Sequence, residues 1–395
     1  MRWTWMFAAM LAALALAAMG CGCGDDDDDD DDDDAATDDD ASDDDAADDD
    51  ATDDDAADDD TDDNVLDDGW VWMPVDGAIC RDGTDTGVMI RESAGSDKLL
   101  ILLQGGGACY SESTCADNPS HFDLASAQAV ASGMNQGILN NTSDANPAKD
   151  WNVVYVPYCT GDVFAGNDPE GFVAGVGPQA YVGYTNMKSI TEDVVAEFPE
   201  VTRVLLAGES AGGFGTMFNY KTVAEAFAPT RVDMFDDSGP LPADDAVLAP
   251  CYQTLLTFQF GATDVAEEVC PDCILPSGDG YSDFAVYYAE QYPNSTFGLY
   301  STLQDATIRD FFGAGQDDCT GTGLIPAEDF EDALIDYRDN DLIPASRWGT
   351  FYREGDAHTC VNSNDAFLTD ETGGTTVAAW LTDLLNDTIA QVDPS

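Results

Sequence analysis

The chain has 395 residues, with 79 acidic and 13 basic side chains and a formal net charge of −66 at neutral pH. Such a field repels nucleic acid and other polyanions at long range and excludes a nucleic-acid partner. With only two histidines in the whole sequence, a histidine-rich metal centre is excluded and few groups are left to act as a base near neutral pH.

The chain opens "MRWTWMFAAMLAALALAAMGCGCG", with Arg2 followed by an apolar run from Met6 to Met19. The run is shorter than the roughly 20 residues a bilayer span needs and ends in small residues, so residues 1–20 read as a signal peptide. Ala18, Met19, Gly20 and Cys21 resemble a bacterial lipobox, which implies cleavage before Cys21 and acylation of its thiol. The expectation is an extracytoplasmic lipoprotein of the cell envelope, in the periplasm or at the surface, touching the membrane only through that anchor; plain secretion is the alternative.

Residues 25–63 contain 27 aspartates and no apolar side chain larger than alanine. Nothing there offsets the entropy of ordering the backbone, so 21–68 read as the lipid-attachment cysteine followed by a disordered, self-repelling tether. Loose Ca²⁺ binding is the functional alternative, but the run lacks the turn glycine and distal glutamate of an EF-hand loop. Without Arg2 and the tether the net charge is still −40.

From 69 to 395 the sequence reads as one large domain. Apolar runs at 87–92, 99–104, 152–158, 203–208, 231–236, 297–302 and 348–354 read as strands, and amphipathic stretches at 186–198, 211–228, 305–313, 326–338 and 375–392 as helices. That alternation predicts an α/β fold, a mostly parallel central sheet flanked by helices. Nine cysteines follow Cys23, at 80, 109, 115, 159, 251, 270, 273, 319 and 360. In an exported chain they read as disulfides, with the odd one free or paired with Cys23. "CPDC" at 270–273 reads as structural cystine, because no second CxxC exists to complete a zinc site.

"VLLAGESAGGFG" (204–215) sets Ser210 between a buried strand and a helix, flanked by glycines. That is the setting of a nucleophile elbow. A serine needs a base to take its proton. His121 lies in a loop upstream of the elbow, whereas His358 follows the last strand, where α/β-hydrolases carry their base, and it is the choice. Asp305, past the penultimate strand, is the favoured acid; Asp236 and Asp237 are its rivals, and Asp356 reads as a solvated turn residue. "QGGGAC" after an early strand supplies amides for an oxyanion hole, Gly106 and Gly107 together with Ala211. It lacks the pattern of a phosphate loop.

Four segments, "LLQGGGACYSESTC" (102–115), "VVYVPYCTGDVFAGN" (153–167), "VLLAGESAGGFG" (204–215) and "YSTLQDATIRDFFG" with "GDAHTC", resemble the pectinacetylesterase family. The resemblance implies an α/β-hydrolase fold, a Ser210–His358–Asp305 triad, the oxyanion amides above, and cystines Cys80–Cys159 and Cys109–Cys115. Gln104 and Ala108 stand where the family commonly has an acid and a bulky aromatic, which bears on the shape of the acyl pocket. The expected activity is hydrolysis of a carboxylic ester by a monomer without metal or organic cofactor. An O-acetylated polysaccharide is the first substrate and a longer-chain ester the second, while a de-esterified, polyanionic pectin is disfavoured by the charge. The expectation from another class is a non-catalytic acidic surface protein that binds glycan or Ca²⁺.

Overall fold

A computed structural model describes residues 64–273, 280–321 and 323–394. The expected signal peptide, the lipobox with Cys21, and the aspartate repeats lie outside the described residues. The folded body starts slightly before residue 69, since Leu66 is buried and Val65 bridges to Val71.

Nine strands form the central sheet: β1 (Val71–Ile79), β2 (Asp85–Arg91), β3 (Lys98–Leu103), β4 (Asn152–Val156), β5 (Arg203–Glu209), β6 (Arg231–Asp237), β7 (Phe297–Thr302), β8 (Trp348–Arg353) and β9 (Gln391–Val392). Their order is β1-β2-β4-β3-β5-β6-β7-β8-β9. β2 runs antiparallel to both neighbours, and every other pairing is parallel. Strands such as "KLLILL" and "RVLLAGE" carry unbroken aliphatic runs between their ends because a parallel sheet is covered on both faces. Alternate side chains divide between two cores. Ile101, Leu103, Val204 and Leu206 pack with helices α1 (Gly183–Glu197) and α2 (Ala211–Ala226), and Leu100, Leu102, Leu205 and Ala207 with a later C-terminal helix. This is the mostly parallel, helix-flanked sheet expected from the sequence.

The differences have local causes. β1 is a strand despite Pro74, Asp76 and Gly77, because it lies at the sheet edge, bulged between Pro74 and Ile79, where a missing N–H is tolerated. Between β6 and β7 the chain builds a cap that includes α3 (Pro250–Gln259), whose apolar residues show no clear period in sequence. Asp305 is not the first helical residue but the N-cap of α4 (Ala306–Gly313). The stretch expected as one helix over 375–392 is α5 (Val377–Leu385) followed by β9; Asp387 at φ 62° turns the chain back onto β8.

Disulfides join Cys80 to Cys159, Cys109 to Cys115, Cys251 to Cys319 and Cys270 to Cys273, and Cys360 is a buried free thiol. No helix among the described residues is long and apolar enough to cross a membrane.

Candidate active site

The C-terminal ends of β3, β5, β6, β7 and β8 converge on one edge of the sheet. Ser210 caps β5 with φ 54° and ψ −118°, in a region that costs a non-glycine residue about 1–3 kcal/mol. Its neighbours must be glycines. A Cβ on Gly208 would lie 2.0 Å from the Gly212 carbonyl oxygen, and one on Gly212 would lie 2.1 Å from that of Leu103. The Ser210 N–H donates to the Asp237 carbonyl at 2.7 Å, which fixes the turn against β6.

Asp305 lies just past β7 and is fully buried. Its Oδ1 accepts the N–H groups of Thr307 and Ile308, at 2.9 and 3.0 Å, capping α4. Its Oδ2 lies 2.7 Å from Nδ1 of His358. One carboxylate therefore closes a helix and holds an imidazole.

His358 sits on the loop after β8. Thr302 Oγ1 donates to the Ala357 carbonyl at 2.6 Å, and Asp237 Oδ2 accepts the N–H groups of Cys360 and Val361 at 2.7 and 2.8 Å. The imidazole is thus held from both sides, with its Nε2 buried and without a hydrogen-bond partner. Burial pulls its pKa down, but the bond to Asp305 and the charges of Asp305, Asp237 and Glu209 outweigh this and raise it above the usual histidine value.

The rival acids are engaged elsewhere. Asp237 spends one oxygen on the Cys360 and Val361 amides and accepts Ser238 Oγ on the other at 3.0 Å. Asp236 accepts the Gly239 N–H at 2.8 Å, and burial pushes its carboxyl well above the usual carboxylate value. His121 is partly exposed and pairs with Asp82 and Asp123, and Asp356 is exposed. The only direct histidine–carboxylate bond at this edge joins His358 to Asp305, among the described residues.

The glycine loop after β3 leans on Ser210: a Cβ on Gly105 would stand 3.1 Å from Ser210 Cβ. Gly106 (φ 158°) and Gly107 (φ 75°) have their carbonyls held by Asn118 Nδ2 at 2.6 Å and by the Tyr158 hydroxyl at 2.8 Å. The amides of Gly106, Gly107 and Ala211 have no protein acceptor among the described residues. The Cys109–Cys115 disulfide closes the loop, and the Tyr181 hydroxyl donates to the Cys109 carbonyl at 2.6 Å. Gln104 accepts the Tyr158 N–H at 3.0 Å, and Ala108 is buried. Sequence reasoning missed Asn118 and Tyr158, although Tyr158 stands beside Cys159 at the end of a recognised strand.

Beside this edge lies a small apolar cleft, with a cavity volume of about 30 Å³, lined by Val163, Phe214, Leu241, Leu256, Phe311 and Phe312 among others. No group of three or more His, Cys, Asp or Glu suited to a metal ion occurs among the described residues.

The family model described as pectinacetylesterase matches residues 69–322, so His358 lies beyond the matched span. Palmitoleoyl-protein carboxylesterase notum2 of Xenopus laevis is 36% identical over 154 residues, 37% of this chain and 30% of that protein. Human palmitoleoyl-protein carboxylesterase NOTUM is 30% identical over 155 residues, again 37% and 30% of the two chains. The chain thus spans about a third of the length of these relatives. A Danio rerio relative named inactive palmitoleoyl-protein carboxylesterase notum1b is 36% identical over 96 residues, covering 23% of this chain and 68% of that one. The crystal structure of the Wnt deacylase Notum from Drosophila superposes with a TM-score of 0.56 at 18% identity, over 80% of this chain and 93% of that chain.

Proposed function

Because the chain belongs to the pectinacetylesterase family, we propose that it is an extracytoplasmic serine ester hydrolase. The observation that carries the reading is the 2.7 Å bond from His358 Nδ1 to Asp305, which leaves Nε2 buried and unbonded at the edge where Ser210 is held in its strained turn. Asp305 fixes the tautomer, so Nε2 presents a lone pair. Ser210 Oγ attacks the ester carbonyl carbon as its proton passes to Nε2, and the oxyanion is received by the amides of Gly106, Gly107 and Ala211. The imidazolium then protonates the leaving alcohol, and water, deprotonated by the same imidazole, releases the acid and restores Ser210.

Four disulfides fit an oxidising compartment. The sequence supports a lipid anchor at Cys21 and an Asp-rich tether leading to the hydrolase domain. For the substrate we keep an O-acetylated carbohydrate as the first reading. The second is an acyl chain longer than acetyl, for which the apolar lining of the cleft, with Phe214, Phe311 and Phe312, is the support. Comparing acetyl with octanoyl nitrophenyl esters decides between them: a higher kcat/KM for octanoyl selects the second.

The existence of a relative named inactive makes turnover itself the first test. A fluorophosphonate probe is expected to label the wild-type protein and to leave Ser210→Ala unlabelled. Equal labelling of the two, or none of the wild type, would leave a non-catalytic glycan- or Ca²⁺-binding protein as the better reading.

A further inference from the structure

Glu209 precedes the nucleophile and touches both loops that surround it. Following the alternation of β5, its side chain leaves on the face of Leu205 and Ala207, away from α2. Its Oε2 accepts Asn362 Nδ2 at 2.8 Å, and Asn362 belongs to the loop that carries His358. Gly105 packs on the same side chain, a Cβ there standing 3.3 Å from Glu209 Cγ, and its nearby N–H favours the ionised carboxylate. We infer that Glu209 is a positioning residue that clamps the glycine loop after β3 to the histidine loop after β8, and so sets the spacing between the oxyanion amides and the base.

The chemistry calls for a carboxylate. One N–H donor from the histidine loop bonds the side chain and a second, on Gly105, lies near it, and an ionised carboxylate, being acceptor-only, suits both. A glutamine offers one acceptor and one donor, so one of the two contacts becomes a donor facing a donor. The inference rests on the esterase reading and deepens it.

The clamp also has a pH range. Asp237 on β6, His358 and the Cys360 thiol on the histidine loop, and Tyr155 on β4 face Glu209. Burial and the Asp237 charge push its carboxyl up to about 7, against the opposing pull of Gly105 and His358. Above neutrality the clamp is ionised and closed; below it, protonation converts one acceptor oxygen into a donor. Full activity then requires two groups to lose protons, His358 and Glu209.

The test is a pH series of kcat and KM on a nitrophenyl ester with the full chain. In the wild type, the acid limb of log kcat/KM should approach a slope of about two. Glu209→Gln should lower kcat about tenfold, change KM by less than about twofold, and flatten the acid limb to a slope of about one. Asn362→Ala removes only an exposed side chain, so it keeps the question open even if Glu209→Gln fails to fold. It should lower kcat in the same direction, and the double variant should be no worse than Glu209→Gln alone. If both single variants stay within about twofold of wild type, with unchanged acid limbs, the clamp is wrong while the esterase reading stands. If the wild type neither turns over ester nor takes the fluorophosphonate label, the esterase reading falls and the clamp with it.

Discussion

Asp305 binds two partners through its two oxygens, and this makes its substitutions separable. Asparagine retains an acceptor for the α4 amides but turns an NH₂ toward His358 Nδ1, which reverses the tautomer. Asp305→Asn is therefore expected to lower kcat about 10³- to 10⁴-fold while thermal melting shifts little. Asp305→Ala should add the loss of a helix cap, about 1 kcal/mol, visible in urea unfolding. A near-normal rate for Asp305→Asn would move the role of acid elsewhere. Ser210, His358 and Asp305 could be singled out as candidates in the sequence because each follows a buried strand rich in apolar residues and histidine is scarce. The choice between Asp305 and Asp236 or Asp237 was less legible. Consecutive residues of β6 point to opposite faces, and only the fold shows that one carboxylate meets the Gly239 amide and the other the backbone of the histidine loop.

At the scale of elements, the elbow is a contact between backbones. The nearest atoms to a Cβ on Gly212 belong to the Leu103 and Gln104 main chain, which cannot swing aside as a side chain would. Gly212→Ala is expected to cost about 3 kcal/mol in urea unfolding and to abolish probe labelling. The Cys80–Cys159 bridge spans 79 residues and ties the end of β1 to the segment after β4. Removing it as the double serine variant should cost about 2–4 kcal/mol. Parallel strands were legible because burial on both faces writes them as largely apolar runs, aliphatic in β3, β4 and β5 and aromatic-rich in β7 and β8. β1 was hidden, since an edge strand accommodates the proline and glycine that elsewhere mark a turn. The cap around α3 was hidden too: its fold depends on contacts with α2 and with the segment after β4, which no local pattern encodes.

Across the whole molecule, acidity is built inward as well as outward. Burial raises Asp162 to about 6, Glu209 to about 7, and Asp236 well above the carboxylate range. Between the unfolded carboxylate value near 4 and these raised values, the folded state holds more protons than the unfolded one. Stability therefore falls as pH rises through that window. Surface acids act oppositely but lower down: hydrogen bonds from Ser126 and His121 hold Asp123 at about 2, so its contribution is lost only in strong acid. The protein should melt several degrees higher at pH 5 than at pH 8, and Asp236→Asn should reduce that difference. A melting temperature that rises from pH 5 to pH 8 would contradict this. The attachment of the histidine loop to Asp237 also has a consequence in time. Ser210 is made at mid-chain, whereas the proposed acid and base, Asp305 and His358, follow more than ninety residues later and are held only once β7 and β8 have joined the sheet. On the proposed mechanism, a chain emerging N-terminus first carries an inert hydroxyl until its last third docks, and reactivity marks the completion of folding.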